Sequence, residues 1–170
     1  GTRVVNEPTI ADPTDRFRQL LTAASHGMAT PRTLLLPQKA SPGDLGQAAL
    51  GNLVYPLPWE RYLEEVGLPA FLRPAWSGGP ARSQRIDSLE ELFFHYDKSG
   101  EMPLLLQEFV EYDRFVRALV IGGNRVILAR YEPEHGRYHL DPDLLDAARE
   151  ERIVGEAAGL CRALGLDIDT

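Results

Sequence analysis

From Phe115 to Ile121 side chains alternate, with Phe115, Arg117, Leu119 and Ile121 against Val116, Ala118 and Val120. That two-residue period predicts a strand with two different faces. Gly122-Gly123-Asn124 follows and supplies the positive backbone torsions of a tight hairpin, so a second strand runs on to Pro133. Upstream, the unbroken apolar run of residues 104–106 predicts a buried strand over 104–108, joined to the hairpin by an acidic connector. Phe17, Leu20, Leu21 and Ala24 recur at helical spacing after Asp12-Pro13-Thr14 and before Gly27. A strand over residues 34–36 and a Gly-, Pro- and Ala-rich loop over 38–56 come next. Trp59, Tyr62, Leu63 and Val66 then share one helical face closed by Gly67, and residues 69–74 read as a short buried strand ending at Arg73.

The loop from Ala75 to Ser83 holds Ser77, Gly78 and Gly79; such glycines let bare amides approach and donate to a phosphate. Ser88-Leu89-Glu90-Glu91 is a capping box, and Leu89, Leu92 and Phe93 form the apolar face of a helix ending near Tyr96. Residues 134–140 read as a polar loop containing His135, Arg137, Tyr138 and His139. The two histidines, four apart, fit an exposed loop better than a metal site. Asp141-Pro142-Asp143 predicts the start of a last helical region broken near Arg149, with Val154, Ala157, Ala158, Cys161 and Leu164 on one face. Gly165 stops it and residues 166–170 enter a strand. The order predicts an α+β chain, antiparallel sheet with helices on its face.

Composition narrows the function. A chain of 170 residues, 44% apolar and 25% charged, is ordinary for a globular protein, and a net charge of −7 argues against nucleic acid as a partner. Positive charge nevertheless clusters at Arg73, Arg82, Arg85, Arg114, Arg117, Arg125, Arg130 and Arg137, which suits a small phosphorylated ligand as well as a scatter of surface cations. Arg117 and Arg130 sit inside strands, where a guanidinium asks for an anionic partner; ligand phosphate and neighbouring glutamates both answer. The single Cys161 excludes a disulfide framework and reads as core. No stretch is apolar enough for a bilayer and no signal-peptide pattern opens the chain, so no membrane partner and a cytoplasmic location are expected.

The strand ending in Gln107-Glu108-Phe109-Val110, the acidic connector, Val116-Arg117 and the Val-Ile-Gly-Gly hairpin together resemble the nucleotide-binding core of the ATP-grasp superfamily. The likeness is to glutathione-synthetase-like and ribosomal-modification-type carboxylate–amine ligases and runs from residue 15 to the end. Asp15-Arg16, Gly27 through Thr33, and the loop between the Leu72-Arg73-Pro74 strand end and the next helix add to it.

The resemblance implies a two-lobed fold: an arm and helix over 1–27, a small lobe over 28–103, a larger lobe over 104–170, and ATP between the lobes. It implies that backbone groups of Glu108, Phe109 and Val110, with Gln107 before them, hold adenine, and that Phe109 sandwiches the ring. Glu111 or Asp113 would accept from the ribose hydroxyls, and Arg73, Ser77, Gly78 and Gly79 would meet the phosphates. Arg117 and Arg130 would face phosphate or an acylphosphate, with Mg2+ beside ATP. The implied enzyme is an ATP-dependent ligase whose partners are a small-molecule or peptide carboxylate and an amine, with a homo-oligomer compatible.

Two departures stand out. The family usually has lysine where Arg73 stands, and its metal-binding Glu and Asn follow the last helix, beyond Thr170. No metal ligand is therefore expected here, and the unit is expected to be incomplete at its C-terminus and inactive as it stands. A non-catalytic nucleotide-binding module, and a structural α+β domain in which every arginine is a salt-bridge partner, are the competing readings.

Overall fold

The computed structural model describes residues 5–6, 15–39, 56–76, 83–141 and 144–169. In chain order the elements are α1 Arg16–Ser25, β1 Thr33–Leu36, α2 Trp59–Val66, β2 Ala70–Pro74, β3 Gln84–Ile86 and α3 Leu89–Tyr96. They continue with β4 Leu104–Glu108, β5 Val116–Ile121, β6 Arg125–Glu132, β7 Arg137–His139, α4 Ala147–Leu164 and β8 Ile168–Asp169. The fold is α+β, with two four-stranded antiparallel sheets, β1-β4-β2-β3 and β7-β6-β5-β8. Two compact units result, one of Pro31–Val110 and one of Gly1–Thr30 with Glu111–Thr170. The boundary expected at residue 104 therefore moves to 110/111. β4 pairs with β1 and β2 and so belongs to the first sheet, not with the hairpin. Likewise α1 goes with the second unit, because it packs on α4.

In the unit 31–110, pairing of Thr33 with Gln107, Ala70 with Glu108 and Phe71 with Arg85 fixes the register. One face of the sheet carries Leu36, Ala70, Leu72, Ile86, Leu104 and Leu106, packed with Val66 of α2 and with Leu92 and Tyr96 of α3. Full burial of each large aliphatic side chain contributes about 1.5–3 kcal/mol. The Trp59 ring stands edge-on to Tyr62, Phe93 and Tyr96, and the Tyr96 hydroxyl donates to the Pro37 carbonyl at 2.8 Å. Burial pushes the Tyr96 phenol pKa up. Ser88 caps α3 by accepting from the Glu91 amide at 3.2 Å, and the Glu91 carboxylate returns to the Asp87 amide at 2.8 Å. Phe93, expected on the buried face, is 39% exposed, while Tyr96 takes the inner position. β3 is an addition to the sequence reading; three residues are too few to show a period.

In the other unit, β5 and β6 join through Gly122-Gly123-Asn124, with φ of +64° and +71° at the two glycines. α4 lays Cys161 and Leu164 on Val120 and Val126, with Leu166 closing the cluster. Asp146 caps α4 by accepting from the Arg149 amide at 2.8 Å, and Gly165 ends it at φ +70°. The helix runs unbroken through Arg149, contrary to expectation, and it starts at Ala147 rather than near Asp141. Its first turns, Arg149-Glu150-Glu151-Arg152, are wholly exposed, so they carry no apolar stripe to signal a helix. The expected polar loop after Pro133 contains β7, which pairs with β6 from Arg130–His139 to Glu132–Arg137.

Candidate nucleotide site

On the sheet of the 31–110 unit, the face opposite the helices carries Thr33, Phe71, Arg73, Arg85 and Gln107, by alternation from the core residues. Gln107 is 5% exposed and fully engaged. Its Oε1 accepts from Arg73 Nη1 at 2.9 Å, and its Nε2 donates to Thr33 Oγ1 at 2.9 Å, which in turn donates to the Pro31 carbonyl at 2.9 Å. Arg73 Nε also donates to Ser83 Oγ at 3.2 Å. Arg73 is thus held by this chain of hydrogen bonds with its guanidinium on the polar face. Beside it, the Phe109 ring lies 5.3 Å from Phe71, and the Arg85 guanidinium sits 5.0 Å from the Phe109 centroid.

The side chain of Glu108 is committed elsewhere. It accepts from Arg32 Nε at 3.1 Å, Arg32 Nη2 at 2.9 Å and the Arg32 amide at 3.0 Å. These bonds hold its carboxyl below the usual range and raise the Arg32 guanidinium. The Glu108 amide donates to the Arg32 carbonyl at 2.8 Å, so that backbone donor is occupied as well. Val110 is 52% exposed. Glu111 and Asp113 are exposed and make no hydrogen bond or ion pair among the described residues. Ser77, Gly78 and Gly79 lie outside the described residues.

In the second unit the register separates the two strand arginines. Val116 pairs with Arg130 and Arg117 with Ala129, so Arg117 and Arg130 project from opposite faces of the sheet and do not meet one ligand group together. Arg130 shares the parity of Val126, the face covered by α4. Its Nε is 2.9 Å from Asp141 Oδ2 and its Nη1 3.3 Å from Glu132 Oε1. Glu132 Oε1 also lies 3.2 Å from His139 Nε2, without the alignment of a hydrogen bond. Arg130, Glu132 and Asp141 border an open pocket of about 760 Å³ that also includes Arg114, whose Nη1 donates to the Leu144 carbonyl at 3.1 Å.

Arg117 has different company. Its guanidinium carbon stands 4.0 Å from the Tyr131 centroid and 5.7 Å from that of Tyr138, and Nη1 donates to the Tyr138 hydroxyl at 2.6 Å. No carboxylate pairs with it among the described residues. Stacking on an aromatic face leaves the in-plane N–H groups available to an anion. Tyr131 and Tyr138 were not singled out from the sequence for this site. Tyr131 carries a signal in hindsight, two residues from Ala129 on the strand opposite Arg117; Tyr138 carries none until β7 is known.

Among the described residues no three His, Cys, Asp or Glu side chains come together as a metal centre. No helix of the described residues is long and apolar enough to cross a membrane.

No protein-family model matches the sequence, and no curated protein matches it. Solved structures do. The ATP-grasp ligase PsnB, complexed with minimal precursor, Mg and ADP, is similar at a TM-score of 0.63 and 20% identity, over 99% of this chain and 47% of that one. The D-alanine–D-alanine ligase from Bacillus anthracis complexed with ATP is similar at a TM-score of 0.61 and 13% identity, over 91% of this chain and 45% of that one. The N5-carboxyaminoimidazole ribonucleotide synthetase from Thermus thermophilus gives 0.62 and 23%, over 91% of this chain and 39% of that one. The chain spans less than half the length of each of these. Two antiparallel sheets with helices, similar over nearly the whole chain to these ligases, give this chain the ATP-grasp fold.

Proposed function

We propose that this chain is the ATP-binding part of an ATP-dependent carboxylate–amine ligase. The observation that carries the reading is Arg117: a guanidinium stacked on tyrosine, without a carboxylate partner among the described residues, on the sheet face that α4 does not cover. A structural arginine would be expected to have the partners that Arg130 has. Arg117 is therefore assigned to the phosphates of ATP or to the acylphosphate, and Arg73 to the phosphates as a second cation. Arg130, expected beside Arg117, is left with its two carboxylates.

The adenine edge is assigned to the backbone following Gln107, with Phe109 and Val110 against the ring and Glu111 or Asp113 toward the ribose. The occupied Glu108 amide narrows this assignment to the groups after it. In the reaction, a carboxylate oxygen attacks the γ-phosphorus and the bond to the bridging oxygen breaks, releasing ADP. The amine nitrogen then attacks the acyl carbon, the carbon–oxygen bond to phosphate breaks, and the nitrogen loses a proton. Arg117 would stabilise charge on the transferred group with a preorganised fork of donors. ATP with Mg2+ is the cofactor pair of this reading, the metal neutralising phosphate charge when bound.

A nucleotide-binding module without turnover is the second reading. It is favoured by Arg73, which replaces a compact ammonium with a fork already engaged by Gln107 and Ser83. Two measurements test these. ATP should raise the melting temperature, since a ligand of the native state alone stabilises it; no shift at saturating ATP contradicts both readings. Turnover of ATP by the full-length protein with candidate acids and amines then selects the ligase, and binding without turnover selects the module.

A further inference from the structure

We propose that Tyr138 is a second oxyanion donor beside Arg117, so that the two side chains form one binding site for a tetrahedral phosphoryl group. The inference rests on the reading of Arg117 as a phosphate ligand and extends it to a residue of β7. The Tyr138 hydroxyl accepts from Arg117 Nη1 at 2.6 Å. A phenol that accepts a hydrogen bond still owns its proton, and no described residue receives it. Accepting from a cation polarises the hydroxyl and strengthens it as a donor.

The geometry also fixes the pair in place. Tyr131 and Tyr138 are directly paired across β6 and β7, their rings 4.9 Å apart, and Arg117 stacks 4.0 Å from the Tyr131 centroid. Three side chains from three adjacent strands thus occupy one sheet face, with Arg117 following from its pairing to Ala129, two residues before Tyr131. Tyr138 is 49% exposed, so the hydroxyl is open to a ligand. An oxyanion in the plane of the guanidinium would receive N–H donors from Arg117 and the O–H of Tyr138. A group without an anionic oxygen would find no charge complement in this pair.

The test compares Tyr138→Phe, Arg117→Ala and the double variant with the unaltered chain, by calorimetric titration with ATP, adenosine and inorganic tripolyphosphate. Melting curves check that each variant is folded, and Tyr138→Phe keeps the ring that stacks on Tyr131. Tyr138→Phe should weaken ATP and tripolyphosphate roughly three- to tenfold, the worth of one hydrogen bond, and leave adenosine unchanged. In the Arg117→Ala background it should weaken them further, because the hydroxyl donates by itself. A loss that disappears in that background would make Tyr138 only a support for Arg117 and overturn the inference. Unchanged ATP and tripolyphosphate binding in Tyr138→Phe, with a clear loss in Arg117→Ala, would overturn it while leaving the proposed function standing. Equal losses of ATP and adenosine in Arg117→Ala would remove the phosphate reading and this inference with it.

Discussion

Two arginines on neighbouring strands, one residue out of step across the ladder, have opposite fates. Arg130 is neutralised by Asp141 and Glu132, whereas Arg117 is stacked on Tyr131, donates to the Tyr138 hydroxyl and has no carboxylate partner among the described residues. Removing Arg117 should therefore lower ATP affinity by about 1.5–3 kcal/mol, the range of a charge-assisted hydrogen bond, and leave adenosine nearly untouched. Paired titrations of the two ligands check it, and equal losses would make Arg117 structural. Glu108 offers a prediction of a different kind. Its hydrogen bonds from Arg32 hold the carboxyl below the ordinary glutamate value of 4.5. A carboxylate depressed in the folded state contributes in full above its unfolded pKa and loses that contribution as pH falls through the folded one. Melting temperatures of the unaltered chain and Glu108→Gln should differ at pH 7 and converge below pH 4.5; a gap that widens with acid would contradict the pairing.

At the scale of elements, stability rests on helix faces meeting sheet faces. Leu92 of α3 is completely buried among Ile86, Leu104 and Leu106. Leu92→Ala should cost about 2–5 kcal/mol through lost burial and the cavity left behind, read as a shift in denaturant midpoint. A cost below 1 kcal/mol would mean that the core closes over the gap. The elements legible in the sequence were those with a sustained period or firm punctuation: the β5–β6 hairpin with its glycine turn, α2 stopped by Gly67, and α3 opened by Ser88. β3 and β7, three residues each, could not show a period, and β7 is polar throughout. The start of α4 was hidden by its exposed charges, and its cap, Asp146, had no apolar run behind it. The candidate site was legible to the same depth. Arg117 stood out as a cation inside a strand, but its separation from Arg130 depends on register, and its contact with Tyr138 on a strand the sequence did not announce.

At the scale of the molecule, the division falls at 30/31 and 110/111 because β4 is the second strand of its sheet, flanked by β1 and β2. The segment 31–110 is continuous in sequence and owns a core built from a sheet and two helices. Expressed alone it should unfold cooperatively, with a far-ultraviolet spectrum of mixed helix and strand; a non-cooperative melt would show that its core needs the rest of the chain. The central proposal assigns adenine to the backbone after Glu108 and the phosphates of ATP to Arg117. Amide hydrogen exchange with and without ATP tests it most directly. The account predicts slowed exchange at residues 109–110 and 116–118, with adenosine reproducing the first change but not the second. Exchange unaffected by ATP at both segments, or altered only at residues remote from Phe109 and Arg117, would contradict it.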